Sequence, residues 1–234
     1  KVPAFNAAGV AAYFALAQPI QRRWSAYADS ALRGEGTPAP TTSGATVGAD
    51  AGGPMATLTT GAAAGNNAFW RDGASQTVHQ ARWNPLILWR VTSGATITTV
   101  LYWLASVSTT FPSPGTDTLP GHGVGFRFST DAGDTTWKFC MRDGATQSVA
   151  DTGVTVLASK EYAMYAYTAD AGLTWNWWIR NVTDGGAAAT GSTTSNPPGA
   201  STDLGYNARI ETRAASARSM VVYGMAGHTG VLVA

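Results

Sequence analysis

Residues 123–167 have the sequence GVGFRFSTDAGDTTWKFCMRDGATQSVADTGVTVLASKEYAMYAY, in which short apolar patterns alternate with turn residues. Two stretches place a large apolar residue at every second position: Val124, Phe126 and Phe128, then Trp137, Phe139 and Met141. A period of two is typical of strands that bury one face. Asp131–Asp134 and Arg142–Gly144 supply the residues that tight hairpin turns require. The segment therefore predicts a meander of antiparallel strands.

Similar patterns continue on both sides of this segment. Leu86–Val91 and Val100–Ala105 are apolar at almost every position, which predicts strands covered on both faces. Residues 111–123 contain three prolines and are expected to form a stiff loop exposed at one end of the fold. Residues 184–203, rich in Gly, Ser and Thr, are expected to form a second long loop.

One short sequence occurs twice. Arg71–Val78 and Arg142–Val149 both begin Arg-Asp-Gly-Ala and differ only by Ser/Thr exchanges. We interpret each as a hairpin that turns at Asp-Gly and continues in β-branched residues. A local duplication and independent selection of the same turn chemistry are equally compatible with the differing flanks.

The order of these motifs is similar to that of a known family. A strand, the D-x-G-D turn at Asp131–Asp134, the T-x-W strand, the Asp143-Gly144 turn, Asp151-Thr-Gly-Val154 and a Tyr-rich strand follow one another. This order resembles the concanavalin-like (laminin-G-like) jelly-roll modules of tailed-bacteriophage virion proteins. Pro85–Thr92 with Ala95–Leu104 is similar to an earlier strand pair of those modules, and Ala217–Tyr223 to their closing strand. The resemblance implies an all-β antiparallel jelly-roll sandwich and a virion context, with no active-site residue.

The first 33 residues carry a helical pattern. Asn6 is placed to cap one helix and Gly34 to end a second. Apolar residues recur at helical spacing in both predicted helices: Val10, Tyr13, Phe14 and Ala17, then Ile20, Trp24, Tyr27 and Ala31. We expect a short helical N-terminal arm whose Tyr13, Phe14, Trp24 and Tyr27 anchor another virion protein or line an oligomer axis. The alternative is that the arm folds back onto its own sandwich.

Residues 34–65 are rich in Gly, Ala, Thr and Pro and have the composition of a linker. We expect this segment to lie along a protein surface, with a candidate strand at Met55–Thr60. The predicted domains are therefore an N-terminal arm over residues 1–54 and a concanavalin-like sandwich over residues 55–234.

Composition excludes several classes of function. Charged residues make up 12% of the chain, about half the usual share. Such a neutral surface suits a subunit of a large assembly, although a genomic bias toward Ala, Gly and Thr gives the same composition. The net charge of +1 gives no strong positive potential that would attract the phosphates of a nucleic acid. No apolar run in the sequence is long enough for a membrane helix. The single cysteine, Cys140, is expected to be buried and inert.

No constellation of catalytic residues is present. Few acidic or imidazole side chains are available: the glutamates are Glu35, Glu161 and Glu211, and the histidines are His79, His122 and His228. None has the spacing of a glycosidase pair, a zinc site or a nucleophile elbow, and Glu161 is expected to be a solvated charge. Asp131 and Asp134 are candidates for a calcium site or, more simply, for turn capping. No cofactor is expected.

A binding site is better supported by residues 173–180. Alternation places Leu173, Trp175, Trp177 and Ile179 on one face of a strand. The opposite face carries Asn176, Trp178 and Arg180, and an indole between an amide and a guanidinium is typical of sugar and protein contacts. The alternative is that Trp178 packs under a loop or stacks on Arg180.

These observations favour a non-enzymatic structural protein of a tailed-phage virion. We expect a tail fibre or similar appendage that is assembled in the host cytoplasm, is anchored to other virion proteins by its arm and attaches to host-surface glycan. A homo-oligomer is expected, with a trimer favoured. The alternatives are a capsid or tail decoration protein and, from another class, a carbohydrate-active hydrolase.

Overall fold

The computed structural model describes residues 22–26, 36–40, 45–49, 56–72, 79–112 and 114–229. These residues form sixteen strands and one 3-10 turn, η1, at Ala81–Trp83. The strands are β1 Arg22–Ala26, β2 Gly36–Pro40, β3 Thr46–Ala49, β4 Ala56–Thr59, β5 Asn67–Asp72, β6 His79–Gln80, β7 Leu86–Thr92, β8 Val100–Val107, β9 His122–Ser129, β10 Thr136–Asp143, β11 Gln147–Thr155, β12 Glu161–Tyr167, β13 Trp175–Asn181, β14 Ala189–Thr193, β15 Asp203–Thr212 and β16 Ser219–Thr229.

The strands form two antiparallel sheets that pack face to face. Sheet A has the order β14-β13-β12-β7-β16-β4-β3, and β1 also pairs with β16. Sheet B has the order β11-β10-β9-β8-β15-β5-β2, and β6 also pairs with β15. Strands that are distant in sequence therefore lie side by side in both sheets. The fold is the all-β jelly-roll sandwich that the sequence predicts.

The core lies between the two sheets and is rich in aromatic residues. The inner faces carry the residues that alternation assigned to them, and the rings of Phe126 and Phe139 meet edge to face at 5.3 Å. The rings of Trp89 and Phe126 also meet edge to face, with centroids 5.9 Å apart, and this contact joins sheet A to sheet B. Aromatic contacts of this kind add about 0.5–1.5 kcal/mol per pair to the burial of apolar area. The two sheets are thus held by a continuous ring-packed layer.

The segment 123–167 is a meander for three of its four strands. β9, β10 and β11 pair in sequence order in sheet B. The chain then crosses, and β12 lies in sheet A between β7 and β13. The turn between β10 and β11 has the predicted chemistry, because Asp143 accepts hydrogen bonds from the backbone of Ala145 and Thr146 while Gly144 has φ +98°.

The predicted second N-terminal helix is wrong over Arg22–Ala26. These residues form β1, and Trp24 lies opposite Gly227 of β16. On this side of β16, β4 covers only Ser219–Val222. The backbone groups of Met225–Thr229 are therefore available to pair with β1. Pairing of these exposed groups outweighs the helical spacing of Ile20, Trp24 and Tyr27. The first predicted helix and the anchoring residues Tyr13, Phe14 and Tyr27 lie outside the described residues.

The described part of the predicted linker contains three strands of the sandwich. β2 pairs with β5 in sheet B, and β3 pairs with β4 in sheet A. β4 at Ala56–Thr59 confirms the candidate strand at Met55–Thr60. A segment with few large side chains is ordered here by backbone hydrogen bonds along sheet edges. In this part of the chain the surface on which it lies is that of its own sandwich.

The proline-rich loop does not project from the end of the fold as expected. Residues 108–112 and 114–121, the covering loop, lie across the outer face of sheet B and bury Phe111 and Leu119 against Leu101, Trp103 and Val107. The indole of Trp103 donates a hydrogen bond to the Thr116 carbonyl at 3.1 Å. Both faces of β8 are consequently buried, as predicted. The apolar side chains at the two ends of the loop explain why it packs inward.

The second predicted long loop contains a strand. Ala189–Thr193 forms β14 at the edge of sheet A, where it pairs with β13. This strand was not predicted because strand prediction depends on alternating apolar residues. β14 consists of Ala, Thr, Gly and Ser and has no such alternation. Among the described residues, no helix is long and apolar enough to cross a membrane.

Candidate functional site

The outer face of sheet A carries a cluster of apolar and aromatic side chains. We call this cluster the aromatic face; its members are Leu86, Leu88, Tyr165, Tyr167 and Trp178. In the register of the sheet, Trp178 lies opposite Tyr165, and Tyr165 lies opposite Leu88. Three neighbouring strands therefore place these residues in one row, because side chains opposite each other in antiparallel strands share a face.

Trp178 and Tyr165 form the centre of the aromatic face. Their rings are parallel within 6° and their centroids are 5.2 Å apart. Tyr165 is 9% exposed, whereas Trp178 is only partly buried. Burial raises the pKa of Tyr165 to about 12, so its hydroxyl is neutral at ordinary pH. The stack makes a firm surface with one accessible indole.

Asn176, Trp178 and Arg180 share the outer face of β13, as predicted. Trp178 stacks on Tyr165 rather than on Arg180. The Arg180 guanidinium instead donates hydrogen bonds to the carbonyls of Gly186 at 2.8 Å and Gly185 at 3.2 Å. Asn176 lies opposite Tyr167 in the next row of the sheet. The structure thus brings the three predicted residues together beside two tyrosines.

Charged and hydroxyl groups border the aromatic face. Arg90 pairs with Glu161, whose side chain is 18% exposed, and its guanidinium lies 5.1 Å from the centre of the Tyr223 ring. The Tyr223 hydroxyl is 2.9 Å from that of Thr92. Glu161, which the sequence predicts to be a solvated charge, is partly exposed and forms a surface ion pair.

The tyrosines of this face were not among the predicted site residues. Tyr165 and Tyr167 lie in a strand whose outward positions alternate with Tyr162, Met164 and Ala166. The period of two places both tyrosines on the outer face, but it does not place β12 next to β13. The sequence of β12 thus shows which way the two tyrosines point. Their position beside Trp178 depends on the pairing of β12 with β13, which the local sequence does not specify.

The acidic residues considered for catalysis or calcium binding are engaged elsewhere. Asp134 accepts two hydrogen bonds from the Arg127 guanidinium, at 3.0 and 3.1 Å, and one from the Ser129 backbone at 2.9 Å. Asp131 lies 3.6 Å from Arg213. The capping interpretation of Asp134 is thus confirmed. No group of His, Cys, Asp and Glu residues in the described part of the chain has the arrangement of a metal site.

His79 is a core residue and has no acid–base role in this geometry. It is fully buried and stacks on Tyr206 at 5.0 Å, with Ser106 Oγ 3.4 Å from its Nε2. Burial lowers the pKa of His79 to about 3, so the ring is neutral at physiological pH. His122 accepts a hydrogen bond from the Gly199 backbone at 3.1 Å, and the side chains of Glu35 and His228 lie outside the described residues.

Cys140 lies in the cluster beneath the covering loop and is fully buried. Burial raises the pKa of its thiol to about 12, and the nearby Arg127 only partly opposes this effect. We expect no alkylation of the folded protein by iodoacetamide at pH 8 and rapid alkylation after denaturation, because the thiolate is the reactive species. Mass spectrometry measures both; alkylation of the native chain within minutes would contradict the buried position.

No protein-family model matches the sequence, and no curated protein matches it. Solved structures with a similar fold include a protein of unknown function from Shewanella oneidensis MR-1, with 8% identity, a TM-score of 0.62 and coverage of 100% of this chain and 99% of that chain. The winged bean acidic lectin, complexed with methyl-α-D-galactose, has 5% identity and a TM-score of 0.58, over 89% of this chain and 98% of the lectin.

A third similar structure is the CBM2 module of the evolved Dit protein of Lactobacillus casei BL23 phage J-1. It has 13% identity and a TM-score of 0.56, over 89% of this chain and 97% of the module. At these identities the likeness concerns the fold alone. It agrees with the concanavalin-like jelly roll that the sequence predicts.

Proposed function

We propose that this chain is a non-enzymatic carbohydrate-binding protein of a tailed-phage virion, and that the aromatic face of sheet A binds host-surface glycan. The observation that carries the proposal is the partly exposed indole of Trp178, held flat against Tyr165. The C–H groups on one side of a pyranose ring pack on such a surface, while hydroxyl groups at its edge meet polar side chains. Asn176 and Arg180 supply those side chains on the same strand face.

The comparisons support this proposal in two ways. A lectin complexed with methyl-α-D-galactose and the CBM2 module of a phage Dit protein share the fold over most of the chain. The phage module also agrees with the virion context that the sequence motifs imply. Within the virion we favour a tail appendage, anchored through the N-terminal arm to other virion proteins as a homo-oligomer. A trimer is the favoured state.

Replacement of Trp178 tests the site. We expect the native chain to bind a subset of bacterial surface glycans on an array, and Trp178→Ala to lower that affinity at least tenfold, since truncation of a tryptophan at the centre of a binding surface typically costs about 2 kcal/mol or more. Trp178→Phe keeps a ring and should retain part of the affinity. Isothermal titration calorimetry with the best array ligand measures the change.

The control is Val149→Ala, which removes an exposed apolar side chain from β11 of the other sheet. This variant should bind like the native chain. If the native chain binds none of the glycans on the array, the result would contradict the proposed function and favour a decoration protein. Release of reducing sugar from host polysaccharide would contradict the non-enzymatic role.

A further inference from the structure

We infer that the sugar bound at the aromatic face is acidic, and that Arg180 takes its carboxylate or phosphate group. This inference rests on the proposed function and narrows the class of ligand. It depends on three features of the described residues: the balance of charge on the outer face of sheet A, the fixed position of the Arg180 guanidinium and the small side chain beside it.

On the outer face of β7, β12, β13 and β14, arginines outnumber carboxylates by one. The outward positions of β7, β12, β13 and β14 carry three charged residues, Arg90, Glu161 and Arg180. Arg90 and Glu161 neutralise each other in an ion pair. Among the described residues, no carboxylate pairs with Arg180, whose recorded partners are backbone carbonyls. One positive charge on this face is therefore left for a ligand.

Arg180 is held in place before any ligand arrives. The carbonyls of Gly185 and Gly186, in the turn between β13 and β14, accept hydrogen bonds from two of its nitrogens. The guanidinium has further N–H donors that these two bonds do not use. A side chain that is already ordered loses less entropy on binding, so each new hydrogen bond contributes more to affinity. The two glycine carbonyls thus orient the charge.

The position of Arg180 suits a sugar stacked on Trp178. The two residues are separated by one position on β13, which places them about 7 Å apart on the same face. Opposite Arg180 on β12 is Ala163, which in turn lies opposite Arg90 on β7. Because Ala163 has only a methyl side chain, no large side chain stands between the two arginines on this face. A substituent at the edge of a pyranose ring on Trp178 reaches the guanidinium across this distance.

The chemistry of the guanidinium selects the ligand. Its planar donors match the two oxygens of a carboxylate or phosphate, and such charge-assisted bonds are roughly twice as strong as neutral ones. Uronic acids and sugar phosphates both present an oxyanion on a pyranose ring. Neutral hexoses present only hydroxyl groups, which gain much less from Arg180.

The test uses an array of matched glycan pairs: uronic-acid oligosaccharides with their methyl esters, and sugar phosphates with their dephosphorylated forms. We expect the native chain to bind acidic members at least tenfold more tightly than their neutral partners, with an advantage that shrinks as salt rises. Arg180→Gln should remove this preference. Arg180→Lys should keep part of it, because the charge remains while the planar fork is lost. The pair that responds distinguishes carboxylate from phosphate.

The matched control is Lys138→Gln, which removes one positive charge from β10 on the other sheet. It should leave the preference unchanged, and circular dichroism confirms that each variant is folded. Equal binding of acidic and neutral members that is still lost in Trp178→Ala would overturn this inference and leave the glycan site standing. Absence of binding to every member would overturn both.

Discussion

Glu211→Gln should lower the melting temperature by roughly 6–20 °C. The Glu211 side chain is fully buried under the covering loop. It accepts a hydrogen bond from Arg209 at 2.7 Å and another from the Gly115 backbone, and Arg213 lies 3.0 Å from its second oxygen. An amide would remove the carboxylate that pairs with the buried Arg209 guanidinium, and would leave Arg213 with only its partly exposed aspartate partners. Removal of one partner from a buried ion network costs about 3–5 kcal/mol, and each kcal/mol lowers the melting temperature by about 2–4 °C in a chain of this size.

The matched control is Asp131→Asn, which removes a carboxylate from the exposed edge of the same network. Asp131 is 53% exposed and lies 3.6 Å from Arg213, so its loss should change the free energy of unfolding by less than about 0.5 kcal/mol. Differential scanning calorimetry compares the two variants. A melting temperature for Glu211→Gln within 2 °C of the native value, about the size of the expected control effect, would show that the network does not hold the covering loop.

Trp103→Ala should cost about 3–5 kcal/mol, the usual range for a buried tryptophan. The indole is fully buried on the outer face of sheet B, and its ring centroid lies 5.7 Å from that of Phe111. Its N–H donates a hydrogen bond to the Thr116 carbonyl. Its loss leaves a cavity under the covering loop and an unpaired carbonyl in it. We expect a lower melting temperature and faster proteolysis between residues 108 and 121.

Trp178→Ala supplies the comparison for this variant. Both tryptophans lie on outward positions of a strand, one on each sheet, but Trp178 is only partly buried. Its loss should cost about 1–2 kcal/mol, mostly the stacking on Tyr165. Equal losses of stability in the two variants, or unchanged proteolysis of the covering loop in Trp103→Ala, would contradict the burial described here.

The two outward tryptophans show where prediction from this sequence ends. Alternation assigned Trp177 and Trp178 to opposite faces of β13, and the structure confirms that assignment. Alternation also places Trp103 on the face of its strand opposite to Tyr102 and Leu104, and the structure shows that this face is the outer one. Nothing in the local pattern shows that a loop covers Trp103 while Trp178 keeps an accessible ring. Which outer face is covered depends on the path of residues 108–121, and that path is decided by contacts between distant parts of the chain.

Strand identity was more predictable than strand neighbours. The turn residues and the period of two located β9 to β13, because both are set by neighbouring residues. The sequence pattern wrongly predicts a helix at β1, because this segment has helical spacing but pairs with an open edge of β16. The pattern also failed at β14, whose uncharged exposed residues have no apolar alternation. The binding residues of β13 were predicted, whereas their tyrosine partners on β12 required the sheet order.

The position of β16 in sheet A has a consequence for synthesis. This strand lies between β7 on one side and β4 and β1 on the other, although 126 residues separate the end of β7 from its start. Until β16 leaves the ribosome, β7 with its partners and β4 with its partners are two separate fragments of a sheet. Contacts of such long range form slowly, and fragments with open edges aggregate. The growing polypeptide therefore cannot close sheet A during translation of its earlier strands, and the nascent protein needs shielding until that final insertion.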